Sequence, residues 1–250
     1  MTGSGGGRSA DGAIAGLVER FGLDAHMAAQ LRSELRSLVG DPLAPTSVTD
    51  PARAVDDHLA DSLVALELPE VREAGAIADL GSGAGLPGLP LAIALPAAHV
   101  ASVESSARKC EFILRTVRAC GLANVEVVNA RAEDWPDGLG RFDLVTARAL
   151  AALDVVVEYA APLLRVRGRL LAWRGRRDAS AEAAAGRAAE ATGMRPEQVL
   201  EVSPYAGAKH RHLHVMSKVM DTPTAFPRRP GMAVKRPLGQ EPRASDRSRR

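Results

Sequence analysis

Aromatic side chains make up only 3% of this sequence, with two tryptophans, two tyrosines and four phenylalanines. A surface that reads nucleic acid by base stacking needs a row of such rings. Any nucleic-acid partner is therefore held mainly through its phosphates and its shape, and Trp135 and Trp173 read as core or rim residues. Cysteine is equally scarce. Cys110 and Cys120 lie in one stretch of helical pattern, where their spacing turns the chain through about 1000° and separates them by about 15 Å, too far to pair. Nothing points to an oxidising compartment. Charge of one sign is missing too, since the formal net charge is +2, a balance that announces no polyanion partner. Long hydrophobic runs are absent: the most apolar stretch, Leu86 to Ala98, is broken by Pro87, Pro90 and Pro96 and is too short to span a bilayer. The Gly- and Ser-rich opening from Met1 to Gly12 contains no apolar segment of the secretion-signal kind. A cytoplasmic protein without membrane contact is expected.

What is there is an ordinary globular composition of 250 residues, 46% hydrophobic, enough for one large domain. Residues 1–12 are expected to be disordered. Helical patterns follow over Ala13 to Phe21, Ala25 to Val39 and Asp50 to Leu66, the last carrying Val55, Leu59, Leu63 and Leu66 at spacings of three and four. These form an expected N-terminal helical cap over residues 13–66. A core over residues 75–220 then alternates strand patterns at Ala76 to Leu80, Val100 to Val103, Val125 to Val128, Phe142 to Thr146, Arg169 to Trp173 and Leu213 to Val219 with helical patterns at Leu89 to Leu95, Ala107 to Cys120, Leu153 to Leu164 and Ala179 to Thr192. Such alternation predicts an α/β fold, a doubly wound and mostly parallel sheet of the Rossmann-like kind. Past Met220 five prolines end the pattern, and residues 221–250 read as a basic tail with eight Lys and Arg against three acids.

The chemistry begins where the first strand ends, at Asp79-Leu80-Gly81-Ser82-Gly83-Ala84-Gly85-Leu86-Pro87-Gly88. Glycines here let the chain turn sharply and let a nucleotide-like ligand approach the backbone. Gly83-x-Gly85-x-x-Gly88 alone also satisfies the dinucleotide pattern, in which a pyrophosphate sits on the helix N-terminus. Two acids favour a different ligand. Asp79, two places before the first glycine, would repel a pyrophosphate and suits the cationic S-adenosylmethionine. Glu104, about 25 residues on at the end of the next strand, is placed to accept the ribose hydroxyls of an adenosine. The third strand leads to Ala132 and Glu133, expected at the adenine edge, and the fourth to Arg148. Ligands of open sheets gather at the carboxyl ends of the strands, so Arg148 is aimed at the site.

The segments Asp79 to Pro90, Glu104 to Phe112, Arg131-Ala132-Glu133 and Thr146-Ala147-Arg148-Ala149, with Asp57-His58-Leu59-Ala60-Asp61-Ser62 upstream and Phe226-Pro227-Arg228-Arg229-Pro230-Gly231 and Lys235-Arg236-Pro237-Leu238 downstream, resemble the ribosomal RNA small subunit methyltransferase G family, also called glucose-inhibited division protein B. The resemblance runs from about Thr46 to Leu238. It implies a class I methyltransferase that uses S-adenosylmethionine to methylate N7 of a guanine in 16S rRNA, in the loop near the decoding site, on the RNA or a small-subunit particle. It also implies cofactor contacts at Gly81, Leu86, Ala132, Glu133 and Arg148, to which Asp79, Gly83 and Glu104 are added from the residues themselves, and a tail docked to about residue 238 and disordered beyond. Of the family's Trp-Asn and Asn-Leu-Thr residues, this chain keeps only Thr46 within Leu43 to Val48. It carries Arg174-Gly175 where many relatives have a lysine and a glycine.

Guanine N7 offers a lone pair and no proton, so its methylation needs alignment more than a general base. That suits a sequence without an Asp-Pro-Pro-Tyr-like or Pro-Cys motif. Arg148 is the expected catalytic residue, and Arg174 and Arg211 are the expected RNA contacts. The histidines of Lys209-His210-Arg211-His212-Leu213-His214 alternate on one strand face, but Lys209 and Arg211 would oppose a cation and no metal is expected. The reading is of a monomer. Two alternatives remain open from the residues: a nicotinamide-dependent oxidoreductase using the same glycine turn, and a catalytically silent RNA-binding protein.

Overall fold

A computed structural model describes residues 9–239. Helices α1 (Ala10–Phe21) and α2 (Ala25–Gly40) open it. The Ser9 hydroxyl accepts the Gly12 N–H at 3.1 Å and caps α1, so this helix takes in Ala10 to Gly12, which the sequence reading had assigned to a disordered start. Residues 1–8, the rest of that segment, lie outside the described residues. Asp24 caps α2 by accepting the Met27 N–H.

The single helix expected over 50–66 is instead a broken run. Helix α3 (Pro51–Ala54) passes into a π-helical segment, Val55–Ala60, then α4 (Asp61–Leu63), a 3-10 turn over Val64–Glu67, and α5 (Pro69–Arg72). A π segment widens the helical ladder and turns carbonyls outward. Here the Asp57 carbonyl accepts from Arg148 at 3.1 Å and the Asp61 carbonyl accepts from the Trp173 indole at 2.7 Å.

The remaining chain alternates as expected: β1 (Ala76–Leu80), α6 (Gly88–Ala94), β2 (His99–Val103), α7 (Ala107–Cys120), β3 (Val125–Val128), β4 (Phe142–Arg148), α8 (Leu153–Ala160), β5 (Leu164–Arg174), α9 (Ala179–Thr192), β6 (Met194–Glu201) and β7 (His212–Lys218), with a short α10 (Met232–Lys235) after the sheet. The strands form one sheet in the order β3-β2-β1-β4-β5-β7-β6. The first five are parallel, and β7 runs antiparallel to both β5 and β6. The chain therefore winds outward in both directions from the β1/β4 pair, and the crevice above the carboxyl ends of those two strands is the place where such sheets hold ligands. Strand β6 was not foreseen. It is a largely exposed edge strand, with Pro196 at a register shift, so neither an apolar run nor alternation marks it.

One face of the sheet packs on α1, α2, the 51–72 run, α6 and α7, and the other on α8, α9 and the tail. Glu34 lies inside the first layer with no exposed surface, and neither carboxylate oxygen has a hydrogen bond among the described residues. Burial pushes its pKa from 4.5 up to about 8, with the positive charge of Arg148 opposing the rise. Because the folded pKa lies above the unfolded one, the stability linked to this proton is complete below about pH 4.5 and is lost as pH rises through 8. Glu34→Met, which fills similar volume without a charge, is expected to raise the melting temperature. Its advantage should widen from pH 5 to pH 8, by about 1.4 kcal/mol per pH unit at most. A calorimetric advantage that stays constant over that range would refute the buried-proton account.

Candidate active site

The glycine turn leaves β1 and folds back on itself. Gly81, Gly83 and Gly85 all have left-handed backbone, with φ of 65°, 59° and 88°, which L side chains rarely adopt. At Gly88 the constraint is space: a Cβ there would lie 2.9 Å from Asp79 Oδ2. Asp79 is the reason for that crowding. It has no exposed surface; Oδ2 accepts the Gly88 N–H at 3.2 Å and Oδ1 accepts the Thr146 hydroxyl at 2.9 Å. Burial pushes its pKa up to about 6 against those hydrogen bonds. The expected contact of Asp79 with a cationic ligand is thus corrected: the carboxylate is occupied inside the protein, joining β1, α6 and β4.

The turn's backbone donors are also occupied. The N–H groups of Gly81 and Ser82 go to the Val103 carbonyl, those of Gly85 and Leu86 to the Ser82 carbonyl, that of Gly83 to Glu104 Oε2 at 3.1 Å, and that of Leu89 to the Gly85 carbonyl. A pyrophosphate needs several free amides at this place; these six, together with Gly88, are taken, and only the Ala84 N–H is left without an acceptor among the described residues. What the turn presents beside its glycines is a carboxylate. Glu104 Oε1 also accepts the Ser106 N–H at 2.9 Å and the Ser105 hydroxyl at 3.5 Å, its nearest cation is Lys109, 3.8 Å from Oε2, and Oε2 keeps a lone pair for a further donor. This set fits a ribose diol and a positively charged ligand, and it does not fit a dinucleotide.

A cleft of about 170 Å³ opens next to Gly81 and is lined by Ala132, Glu133, Ala130, Tyr159 and Leu150. Three of the expected cofactor residues therefore meet at one opening. Glu133 is also claimed by the tail, since its Oε1 accepts the Gly231 N–H at 3.0 Å. The segment is held further by Arg228, which donates two hydrogen bonds of 2.6 and 2.5 Å to the buried Glu158. Residue 239 is the last described, so the expected disorder beyond about 238 falls almost wholly outside the described residues. Leu86 is not among the residues that line this cleft. It is 5% exposed and packs in the core below the turn, away from this cleft.

Beyond the end of β4, a second cleft of about 250 Å³ brings together Arg148, Arg174 and Arg211, with Trp173 and Asp61 in its lining. All three expected cations converge, but they are not equivalent. Arg148 donates to Asp61 Oδ2 at 2.8 Å. The Nε of Arg211 lies 3.3 Å from Asp61 Oδ1, and its guanidinium also approaches Asp57 and the Tyr205 hydroxyl. Arg174 is half-buried and has no hydrogen bond or ion pair among the described residues. Asp57, Asp61 and Tyr205 are the residues that sequence reasoning missed. The first two stood in a recognised motif, but nothing local assigns them to cations some 90 residues away. His58, between them, bonds Thr46 through Nε2 at 2.8 Å. Burial and the Arg148 charge hold its pKa down. His212 and His214 are buried on β7, and among the described residues no group of His, Cys, Asp and Glu is placed to hold a metal ion. Both cysteines are buried and unpaired. No described helix is long and apolar enough to cross a membrane.

The sequence model of the rRNA small subunit methyltransferase G family matches residues 39–213. The chain belongs to that family. Its relatives include the ribosomal RNA small subunit methyltransferase G of Rubrobacter xylanophilus, 40% identical over 76% of this chain and 75% of the relative. The Chloroflexus aggregans protein of the same name is 38% identical over 86% and 92%. Among solved structures, the mitomycin 7-O-methyltransferase has a TM-score of 0.55 at 15% identity, covering 84% of this chain and 73% of that one. A predicted O-methyltransferase from Agrobacterium tumefaciens has 0.50 at 24%, covering 65% and 80%. At those identities the likeness is one of fold.

Asp61 is the hub of the second cleft, and both of its neighbouring cations depend on it. Asp61→Ala leaves two guanidiniums facing each other without their carboxylate. Denaturant unfolding should show a loss of about 3 kcal/mol, whereas Asp11→Ala, which breaks the exposed Arg32 pair, should leave the midpoint nearly unmoved.

Proposed function

We propose that this chain is an S-adenosylmethionine-dependent rRNA methyltransferase whose acceptor is N7 of a guanine in 16S rRNA, in the loop near the decoding site. The observation that supports the cofactor is the glycine turn: of its N–H groups from Gly81 to Leu89 only that of Ala84 is left without an acceptor among the described residues, and the Glu104 carboxylate lies against it, bonded to Gly83. That arrangement disfavours the nicotinamide alternative. When bound, S-adenosylmethionine supplies an electrophilic methyl on a sulfonium. Gly81, Gly83, Ala132 and Glu133 would hold its adenosyl part, with Glu104 taking the ribose hydroxyls. Asp79 acts behind them by fixing the turn.

The family supports the small-subunit rRNA substrate, and the site supports the N7 acceptor. N7 attacks with its lone pair, a new N–C bond replaces the S–C bond, and no proton has to leave. The second cleft accordingly offers cations and alignment in place of a general base. Arg148 and Arg211, fixed by Asp61, would hold the base and its phosphate in line, and Arg174 supplies a charge that makes no ion pair within 4 Å among the described residues. Such a design spends its interactions on orientation. We further infer a cytoplasmic monomer acting on rRNA or a small-subunit particle.

Three measurements test this. S-adenosylmethionine at 100 times its Kd should stabilise the protein by about 2.7 kcal/mol, visible as a rise in melting temperature that NAD does not produce. Mass spectrometry of 16S rRNA nucleosides should show 7-methylguanosine only when the gene is present; unchanged content sinks the acceptor assignment. Arg174→Ala should keep the fold and the cofactor-induced shift while lowering kcat/KM at least tenfold. Normal turnover would remove it from the site.

A further inference from the structure

A cleft of about 840 Å³, the most spacious of those described, lies next to the second cleft and shares Arg174 and Gly175 with it. It is bounded by the start of α8, the first two turns of α9 and the end of β5, and Gly239 closes one side, held there by two hydrogen bonds from Arg187 to its carbonyl. Its charges are unevenly compensated. The acids at its edge are spoken for: Glu182 takes two hydrogen bonds from Arg177, and Asp178 caps α9 by accepting the Ser180 and Ala181 N–H groups. The cations are not. Arg174 makes no hydrogen bond or ion pair within 4 Å among the described residues, its nearest opposing influence being the charge of Asp154, and exposed Arg176 approaches His210, at 3.4 Å.

The lining also carries two buried polar groups at 4% and 6% exposure, His214 and Asp154. His214 has no hydrogen bond among the described residues, and Asp154 uses one oxygen on the Val155 N–H. Buried polar groups without partners are costly unless something supplies the missing bonds. A donor and an acceptor in the lining of one cleft, together with two guanidiniums that no carboxylate holds within 4 Å among the described residues, match one nucleotide: a base edge on the first pair and a phosphate on the second.

Resting on the rRNA methyltransferase reading, we propose that this cleft is a second nucleotide subsite, holding the RNA residue next to the methylated guanine with its base against Asp154 and His214 and its phosphate on Arg174 and Arg176. A single-stranded loop nucleotide splayed into it fixes the register of its neighbour in the second cleft. The subsite thus contributes to the choice of guanine without touching the reacting atoms.

The test uses the full chain with small ribosomal particles lacking the modification, and two variants at exposed positions, Arg176→Ala and Ala181→Trp, the latter placing a ring in the cleft. Each should raise KM for the particle about tenfold or more, with kcat reduced less, and with the Kd for S-adenosylmethionine and the melting temperature unchanged. An unchanged KM in both variants, while the wild type methylates the particle, overturns the subsite and leaves the methyltransferase reading standing. Weakened S-adenosylmethionine binding in both would assign the cleft to the cofactor and likewise overturn it. If the wild type transfers no methyl to the particle, the underlying reading fails and the subsite fails with it.

Discussion

The carboxylate of Asp79 accepts from Gly88 on one side and Thr146 on the other, and through those two bonds the first strand, the helix after the turn and the fourth strand share a single buried anchor. The anchor sets what a ligand can meet. A turn pulled down onto Asp79 and stitched to Val103, Ser82 and Glu104 has one amide to spare among the described residues, that of Ala84. It shows a ligand bare Cα atoms and a carboxylate rather than an anion cradle, although its glycine spacing satisfies a phosphate-binding pattern. The same burial raises the pKa of Asp79 toward neutrality, so the hydrogen bonds that hold the turn are also those that keep the acid ionised.

A second constraint joins the N-terminal helices to the sheet. In the π segment and the short helix after it, the carbonyls of Asp57 and Asp61 reach Arg148 and Trp173 while their carboxylates reach Arg148 and Arg211. The helical cap is therefore half of the arginine cleft. It also grades the charge there, since Arg148 and Arg211 meet its carboxylates while Arg174 makes no ion pair within 4 Å among the described residues.

How much could be read in advance follows from where the information sits. Strands β1, β2, β4 and β7 and the second half of β5 are largely buried and announce themselves as apolar runs, and the turn announces itself by glycine. The placement of Ala132, Glu133, Arg148, Arg174 and Arg211 at the carboxyl edge follows from strand ends. The errors have one origin: sequence gives a residue's position along a strand or helix but not the direction of its neighbours. Asp79 looked free because its burial depends on α6 and β4. Leu86 looked like a ligand contact, yet it turns into the core. Strand β6 is polar and interrupted by Pro196, and only pairing with β7 makes it a strand. The Asp61 bond to Arg148 spans 87 positions, a separation at which no local pattern speaks.

The segment after β7 reaches back to Glu133 and Glu158, and Val234 stands in the lining of the cleft beside Gly81. That wall comes from a part of the chain translated after the whole sheet. A nascent polypeptide can therefore lay down its strands, bury its core and form its glycine turn while the cleft beside Gly81 is still open. Completion of the cleft is deferred until this segment has been made and has found its acids. An enzyme built this way separates in time the acquisition of a fold from the acquisition of a site.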